Sequence, residues 1–371
     1  MRLSLSIAAV LLLAGSACAQ PARSERNFLP ADGRISFTIE PSQRAGMVQF
    51  QLSRREGRSN WVHGRSIEAS ALEGFGATDG PLRFRLVRDA GTIDCDGVMR
   101  AGRAIGECSF AADAGFAAWL AERGIGSPTR DQAFSMAMSD IGRAYVDELA
   151  RQRYDTPSAA DLARAGDHGV TMDYLVRMGG HGYRVGRLAS LIRMRDHGVT
   201  PEYVAELAQL GVREVSPEDI VRMRDHGVQP AFVAALRGHG YQDLPIDQLI
   251  RLRDHGVTAD YVRRLADHGV RGVPPAELTR MRDHGVSPDF VGALRASGFT
   301  GFDTSEIIRL RDHGVNGEFV GALASLGYGA LSADEMVRLR IHGVTPDFIR
   351  RANGGGERRS AEELVRMRIG S

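Results

Sequence analysis

The chain has 371 residues, and all 47 of its basic side chains are arginine. The lack of lysine excludes a Walker lysine, a Schiff-base lysine and a serine–lysine nucleophile pair. A net charge of +1 argues against a nucleic-acid partner and against strong attraction to anionic lipid, and the length calls for two or more units.

Arg2 precedes an apolar stretch from Leu3 to Leu13, followed by Ala14, Gly15, Ser16 and Ala17. The stretch is too short to span a bilayer and reads as a signal peptide over residues 1–19. Ala17-Cys18-Ala19 fits a cleavage site, giving a mature start near Gln20; lipid attachment at Cys18 is the less favoured alternative. Residues 20–32 read as a linker, and no later stretch is apolar enough to cross a membrane. A periplasmic or secreted protein is expected.

Residues 33–112 alternate apolar and polar side chains, as half-buried strands do. Ile35–Ile39, Val48–Leu52, Ser59–Ala71, Leu82–Val87, Thr92–Met99 and Ala104–Phe110 form the expected antiparallel β domain. A turn at Ala101-Gly102 makes paired residue numbers sum to 203, so Cys95 faces Cys108 and Ile93 faces Phe110. That pair is non-hydrogen-bonded, with Cα atoms about 4.5 Å apart, and a Cys95–Cys108 disulfide is expected in an oxidising compartment. A bulged turn would instead place a cysteine opposite Glu107. Asp94-Cys95-Asp96-Gly97 resembles a calcium loop but fails, because its twelfth position is Arg103.

From Asp113 onward the texture changes. A phrase close to Arg-Met-Arg-Asp-His-Gly-Val places His168, His197, His226, His255, His284, His313 and His342 at intervals of 29 residues. A fixed period of that size marks a solenoid. Within one copy, Thr200-Pro201-Glu202 opens a first helix, whose apolar stripe is Tyr203, Val204, Leu207 and Leu210 and which ends at Gly211. Ser216-Pro217-Glu218-Asp219 opens a second helix, closed by Gly227 and Val228. Helices this short are marginal alone, so neighbouring copies must bury their stripes. Ser332…Glu335 and Ser360…Glu363 read as capping boxes. The expected α+β chain therefore carries a solenoid over 113–371: a degenerate first copy at 113–138, clear copies to 352, and a frayed last copy at 353–371.

The seven repeat histidines sit where helices end. They read as helix caps, able to bond orphan carbonyls and suited to the negative end of the dipole. A metal array is the alternative, but copies stack about 10 Å apart and zinc needs ligands near about 2.1 Å, so neighbouring histidines cannot share an ion. No metal or cofactor is expected. Paired arginines recur as Arg193/Arg195 and onward. Arg193, Arg222, Arg251, Arg280, Arg309 and Arg338 form either a solvated ion ladder with acids of the adjacent copy or a charged stripe for an acidic partner. The non-repeating first-helix positions Ala205, Glu206, Ala234, Arg263, Arg264, Gly292 and Gly321 are the other candidate surface. Trp61 and His63 are the aromatic–polar pair of the β domain worth testing.

The repeat phrase His-Gly-Val-Thr-Pro-Glu/Asp-Tyr/Phe, with its following Leu, Gly-Tyr and Arg-Leu-Arg, resembles the helical-repeat tail that follows some bacterial membrane metallopeptidases of the beta-lactam-sensor type. The hairpin from Arg88-Asp89-Ala90-Gly91-Thr92 to Gly106-Glu107-Cys108-Ser109-Phe110 is similar to the β segment before those repeats. The resemblance spans most of the mature chain but brings no catalytic residue, since those peptidases need His-Glu-x-x-His and all 11 histidines here precede glycine. It implies an exported accessory or sensory module. The expected function is thus a non-enzymatic scaffold whose solenoid binds protein or peptide, with a sensor that takes a small ligand or cell-wall fragment through the β domain as the alternative.

Overall fold

The computed structural model describes Leu29 and residues 34–56, 59–354 and 356–370, with the side chains of residues 55–56 and 59–61 left out. The signal peptide, Cys18, almost all of the linker and the Trp61 side chain lie outside the described residues. The architecture is α+β, with an antiparallel sheet followed, among the described residues, by 18 helices. It divides into two compact units. One holds residues up to Asp113 together with Pro128–Phe134, and the other holds Ala114–Ser127 and everything from Ser135.

The sheet comprises β1 (Arg34–Pro41), β2 (Met47–Glu56), β3 (Ser59–Glu68), β4 (Leu72–Glu73), β5 (Gly80–Arg88), β6 (Gly91–Arg100) and β7 (Arg103–Ala112). Their order is β3-β2-β1-β7-β6-β5-β4. One expected strand, Ser59–Ala71, is shorter than its pattern suggests: it ends at Glu68, where a 3-10 turn at Ala69–Ala71 redirects the chain into β4. The β6–β7 register pairs Cys95 with Cys108 and Ile93 with Phe110. The turn needs positive φ at both central residues, and Ala101 (φ 48) and Gly102 (φ 78) adopt it. Cys95 and Cys108 form a disulfide with Cα atoms 4.1 Å apart.

Alternation buries one face of the sheet. Phe37 on β1, Phe50 on β2 and Phe84 on β5 are all at most 2% exposed. In strand order β7 and β6 separate β1 from β5, yet the Phe37 and Phe84 rings lie 5.2 Å apart and the Phe50 and Phe84 rings 5.7 Å apart. The sheet therefore curls over its own side chains. Paired glycines on neighbouring strands allow the bend, because a Cβ at Gly106 would fall 2.2 Å from the Asp96 carbonyl oxygen and 2.7 Å from the Phe37 ring. Phe134, from the helical segment that belongs to this unit, packs edge-on against Phe110 at 5.5 Å and His63 at 5.7 Å.

In the second unit, α1 (Ala114–Glu122) and the later half of α2 (Arg130–Ser139) occupy the expected first copy, while the first half of α2, to Phe134, groups with the sheet. The first helices of the following copies are α3 (Arg143–Arg151), α5 (Met172–Gly180), α7 (Pro201–Gln209), α9 (Pro230–Gly238), α11 (Ala259–Asp267), α13 (Pro288–Ala296), α15 (Gly317–Ser325) and α17 (Pro346–Ala352). The second helices are α4 (Ala159–Asp167), α6 (Leu188–Asp196), α8 (Pro217–Asp225), α10 (Ile246–Asp254), α12 (Pro275–Asp283), α14 (Thr304–Asp312), α16 (Ala333–Ile341) and α18 (Ala361–Ile369). First helices pack on first helices and second on second, giving two layers.

Local chemistry sets the helix ends. The Thr200 hydroxyl accepts from the Tyr203 amide, and Ser332 and Ser360 form full capping boxes with Glu335 and Glu363. Each second helix through α16 closes on a left-handed glycine, such as Gly198 (φ 71), and a valine whose amide reaches back, as Val199 does to the Met194 carbonyl. Those valines, from Val170 to Val344, are at most 1% exposed and are the hydrophobic pins between copies.

The disulfide closes a loop of 13 residues within the sheet. Replacing Cys95 and Cys108 together by serine should lower the stability of the sheet unit by about 3 kcal/mol, read from urea titration of its near-UV signal. An unchanged midpoint would refute that contribution.

Candidate interaction surface

Three sets of cross-copy contacts recur in the solenoid. The first joins an aromatic ring to an arginine. Tyr174 donates its hydroxyl hydrogen to the Val199 carbonyl at 2.8 Å, Tyr203 to Val228 at 2.7 Å and Tyr261 to Val286 at 3.0 Å. The second arginine of each pair lies over that ring: Arg195 over Tyr174 at 5.5 Å, Arg224 over Tyr203 at 5.2 Å and Arg253 over Phe232 at 5.3 Å. Its Nε donates to a helix-ending carbonyl of the preceding copy, as Arg224 does to Gly198 at 2.9 Å. These arginines satisfy orphan carbonyls and stack on aromatic faces, so they are scaffold.

The second set is a histidine–carboxylate ladder. His168, His197, His226, His255, His284, His313 and His342 are each the C-cap residue of a second helix. Where the sequence suggests bonds to orphan carbonyls, the Nδ1 atoms of the first five meet a carboxylate of the following copy instead. The distances are 2.6 Å for His168–Asp196, 2.7 Å for His197–Asp225, 2.6 Å for His226–Asp254, and 2.8 Å for both His255–Asp283 and His284–Asp312. The reason is geometric: the backbone amides that follow already close the carbonyls, leaving the ring free to cross the interface. The ladder stops because Ile341 stands where the sixth acid would be, and Ile341 is 60% exposed. Among the described residues no group of three His, Cys, Asp or Glu side chains could hold a metal ion.

The third set involves the first arginines. Arg193 pairs with Glu218 of the next copy at 2.9 Å, Arg222 with Asp247 at 2.8 Å and with Asp219 at 2.9 Å, and Arg309 with Asp334. Arg280 turns to Glu277 in its own helix at 2.7 Å, since Ser305 offers no acid across the interface. Arg251 faces Ala276 in the same register, and neither it nor Arg338 has a carboxylate partner among the described residues. Exposed pairs of this kind contribute about 0–1 kcal/mol each.

The outer face of the first-helix layer is different. Ala234, Arg263, Gly321 and Glu206 are exposed, and Ala205, Arg264 and Gly292 are half-buried. His268 lies against Gly292, where a Cβ would come 2.7 Å from its ring. At the start of the layer, Arg151, Gln152, Arg153 and Arg184 line a cleft of about 470 Å³. Glu148 there is held below the usual carboxylate range, first by the hydrogen bond from Arg151 and then by that from Gln152, against the opposing effect of burial. Arg153 takes a left-handed conformation (φ 63) where the following copies have glycine, and that lost glycine was the sequence signal for this departure.

Comparison with protein-family models, with curated proteins and with solved structures finds no match.

The buried tyrosines give the solenoid an alkaline limit. Burial pushes the phenols of Tyr154, Tyr183, Tyr241 and Tyr261 up to about 12 and those of Tyr174 and Tyr203 higher. The unfolded chain therefore gives up its phenolic protons first, from about pH 10. Stability is full below that pH and declines as the pH rises toward 12, so far-UV dichroism should be lost together with the appearance of tyrosinate absorbance. Tyrosinate forming while the helices stay intact would contradict the argument. Separately, Tyr203→Phe strands the Val228 carbonyl and should cost about 1 kcal/mol in urea denaturation.

Proposed function

We propose that the chain is an exported, non-enzymatic scaffold that binds a protein or peptide along the outer face of its first-helix layer. One observation supports this reading above others. First helices stack in register, so the same helix position forms one row, and along that row four residue types follow one another: Val176, then Ala205 and Ala234, then Arg263, then Gly292 and Gly321. The second-helix face instead repeats one pattern of arginines, acids and histidines, most of them paired within the protein. A surface that recognises a specific partner needs chemistry that varies along it, whereas a self-paired ladder serves the fold. The Cys95–Cys108 disulfide suits an oxidising compartment, and among the described residues no helix is long and apolar enough to cross a membrane. An accessory role in the cell envelope fits the resemblance of the repeats to the tails of sensor-type metallopeptidases.

The test places a photo-crosslinking residue at Ala234 on one face and at Gln248 on the other, both exposed. A discrete adduct should form from 234 and not from 248, and Ala234→Glu should weaken the captured partner at least about tenfold, or 1.4 kcal/mol, with the helical signal unchanged. Equal labelling from both faces, or binding indifferent to Ala234→Glu, would overturn the assignment.

A further inference from the structure

The loops that join first to second helices share an aromatic position. Tyr154, Tyr183, Tyr241, Phe299 and Tyr328 fill it; Tyr183 is half-buried and the other four are at most 8% exposed. Three of the four tyrosines reach the main chain of the next loop: Tyr154 donates to the Tyr183 carbonyl at 3.4 Å, Tyr328 to the Arg359 carbonyl at 2.6 Å, and Tyr241 bonds to the main chain at Val273. Two copies depart, with Val212 and Val270 in place of the ring. The loop after Val270 carries a second ring. This is Phe302, which stacks on Phe299 with centroids 6.0 Å apart and planes 14° from parallel. The residue corresponding to Phe302 in the loop after Val212 is Leu244, so no second ring is provided.

The result is a cleft of about 380 Å³ whose walls include Val212, Val233, Leu236, Tyr241, Leu244 and Leu249. Val233, Leu236 and Leu249 are at most 3% exposed, and Arg237, tied to Asp243, stands at the side. An apolar cavity of about 150 Å³ suffices to hold benzene. We propose that this cleft is a binding site for a phenolic ring, which takes the place of the missing tyrosine and donates its hydroxyl hydrogen to the main-chain carbonyls at Asp243–Leu244. The other copies are the template: five of them carry a ring at this position, and Tyr154, Tyr241 and Tyr328 each end in a main-chain hydrogen bond. The site lies in the loops between the layers and stands independently of the docking face proposed above.

The experiment titrates the full chain with p-cresol, with toluene and with the peptide Gly-Gly-Tyr-Gly-Gly, following heat and thermal midpoint. p-Cresol should bind saturably and about fivefold more tightly than toluene, the equivalent of one hydrogen bond of about 1 kcal/mol. Val212→Tyr and Leu244→Phe each fill the space from one wall, and each should abolish binding and raise the midpoint, whereas Val270→Tyr should raise nothing. Peptide binding comparable to that of p-cresol identifies the ligand as a partner's tyrosine; p-cresol binding with the peptide excluded identifies a free phenol. The proposal falls if neither compound saturates, or if p-cresol still binds both filled variants as it binds the parent chain. Should Val212→Tyr fail to fold, Leu244→Phe alone decides.

Discussion

A helix of nine residues cannot stand alone in water, and nearly every helix of the solenoid has nine. What holds them is the interface between copies, where an apolar stripe is covered and the helix-ending carbonyls are closed by side chains from the next copy. These contacts have fixed offsets in the chain. Tyrosine meets a valine carbonyl 25 residues on, the second arginine meets a glycine carbonyl 26 residues back, and histidine meets an acid 28 residues on. A residue inserted inside a helix would throw all three out of register at once. That constraint explains why the period holds so strictly from His168 to His342. The last copy is shorter by one residue in its loop, and there the contacts survive with the offset moved: Arg368 reaches the Gly343 carbonyl at 3.3 Å, 25 rather than 26 residues back, and the Phe348 ring at 5.6 Å.

Much of this was legible in the sequence wherever the determining chemistry is local. Thr200, Ser216 and Gly211 mark helix ends because capping involves residues three or four apart, and Ala101-Gly102 sets the β6–β7 register because a two-residue turn leaves one pairing for Cys95 and Cys108. What stayed hidden depends on how one copy is rotated against the next. Arg193 and Arg195 look alike in the sequence, yet one reaches out to Glu218 and the other folds over Tyr174. His197 sits beside Asp196 in the chain but pairs with Asp225. The curl of the sheet, permitted by Gly97 facing Gly106, and the grouping of Pro128–Phe134 with the sheet are equally non-local and left no periodic trace.

The two faces of the solenoid divide the chemistry between them. Charge on the second-helix side is spent on neighbours, so it repeats. Apart from the breaks at Ala276, Ser305 and Ile341, variation falls on the first-helix side and in the loops, where Val212 and Val270 replace rings and Arg153 replaces a glycine. Such departures are informative because every other copy shows what the fold requires at the same place.

The disulfide and the solenoid also differ in how they would answer a pull. Cys95 and Cys108 tie adjacent strands and cannot be drawn apart, so the hairpin resists tension covalently. A copy near the end of the stack is held only by its neighbour, and once released its 29 residues lengthen to about 100 Å of extended chain. Under load the array would pay out copy by copy, each step releasing one such length, while the cross-linked hairpin keeps its own.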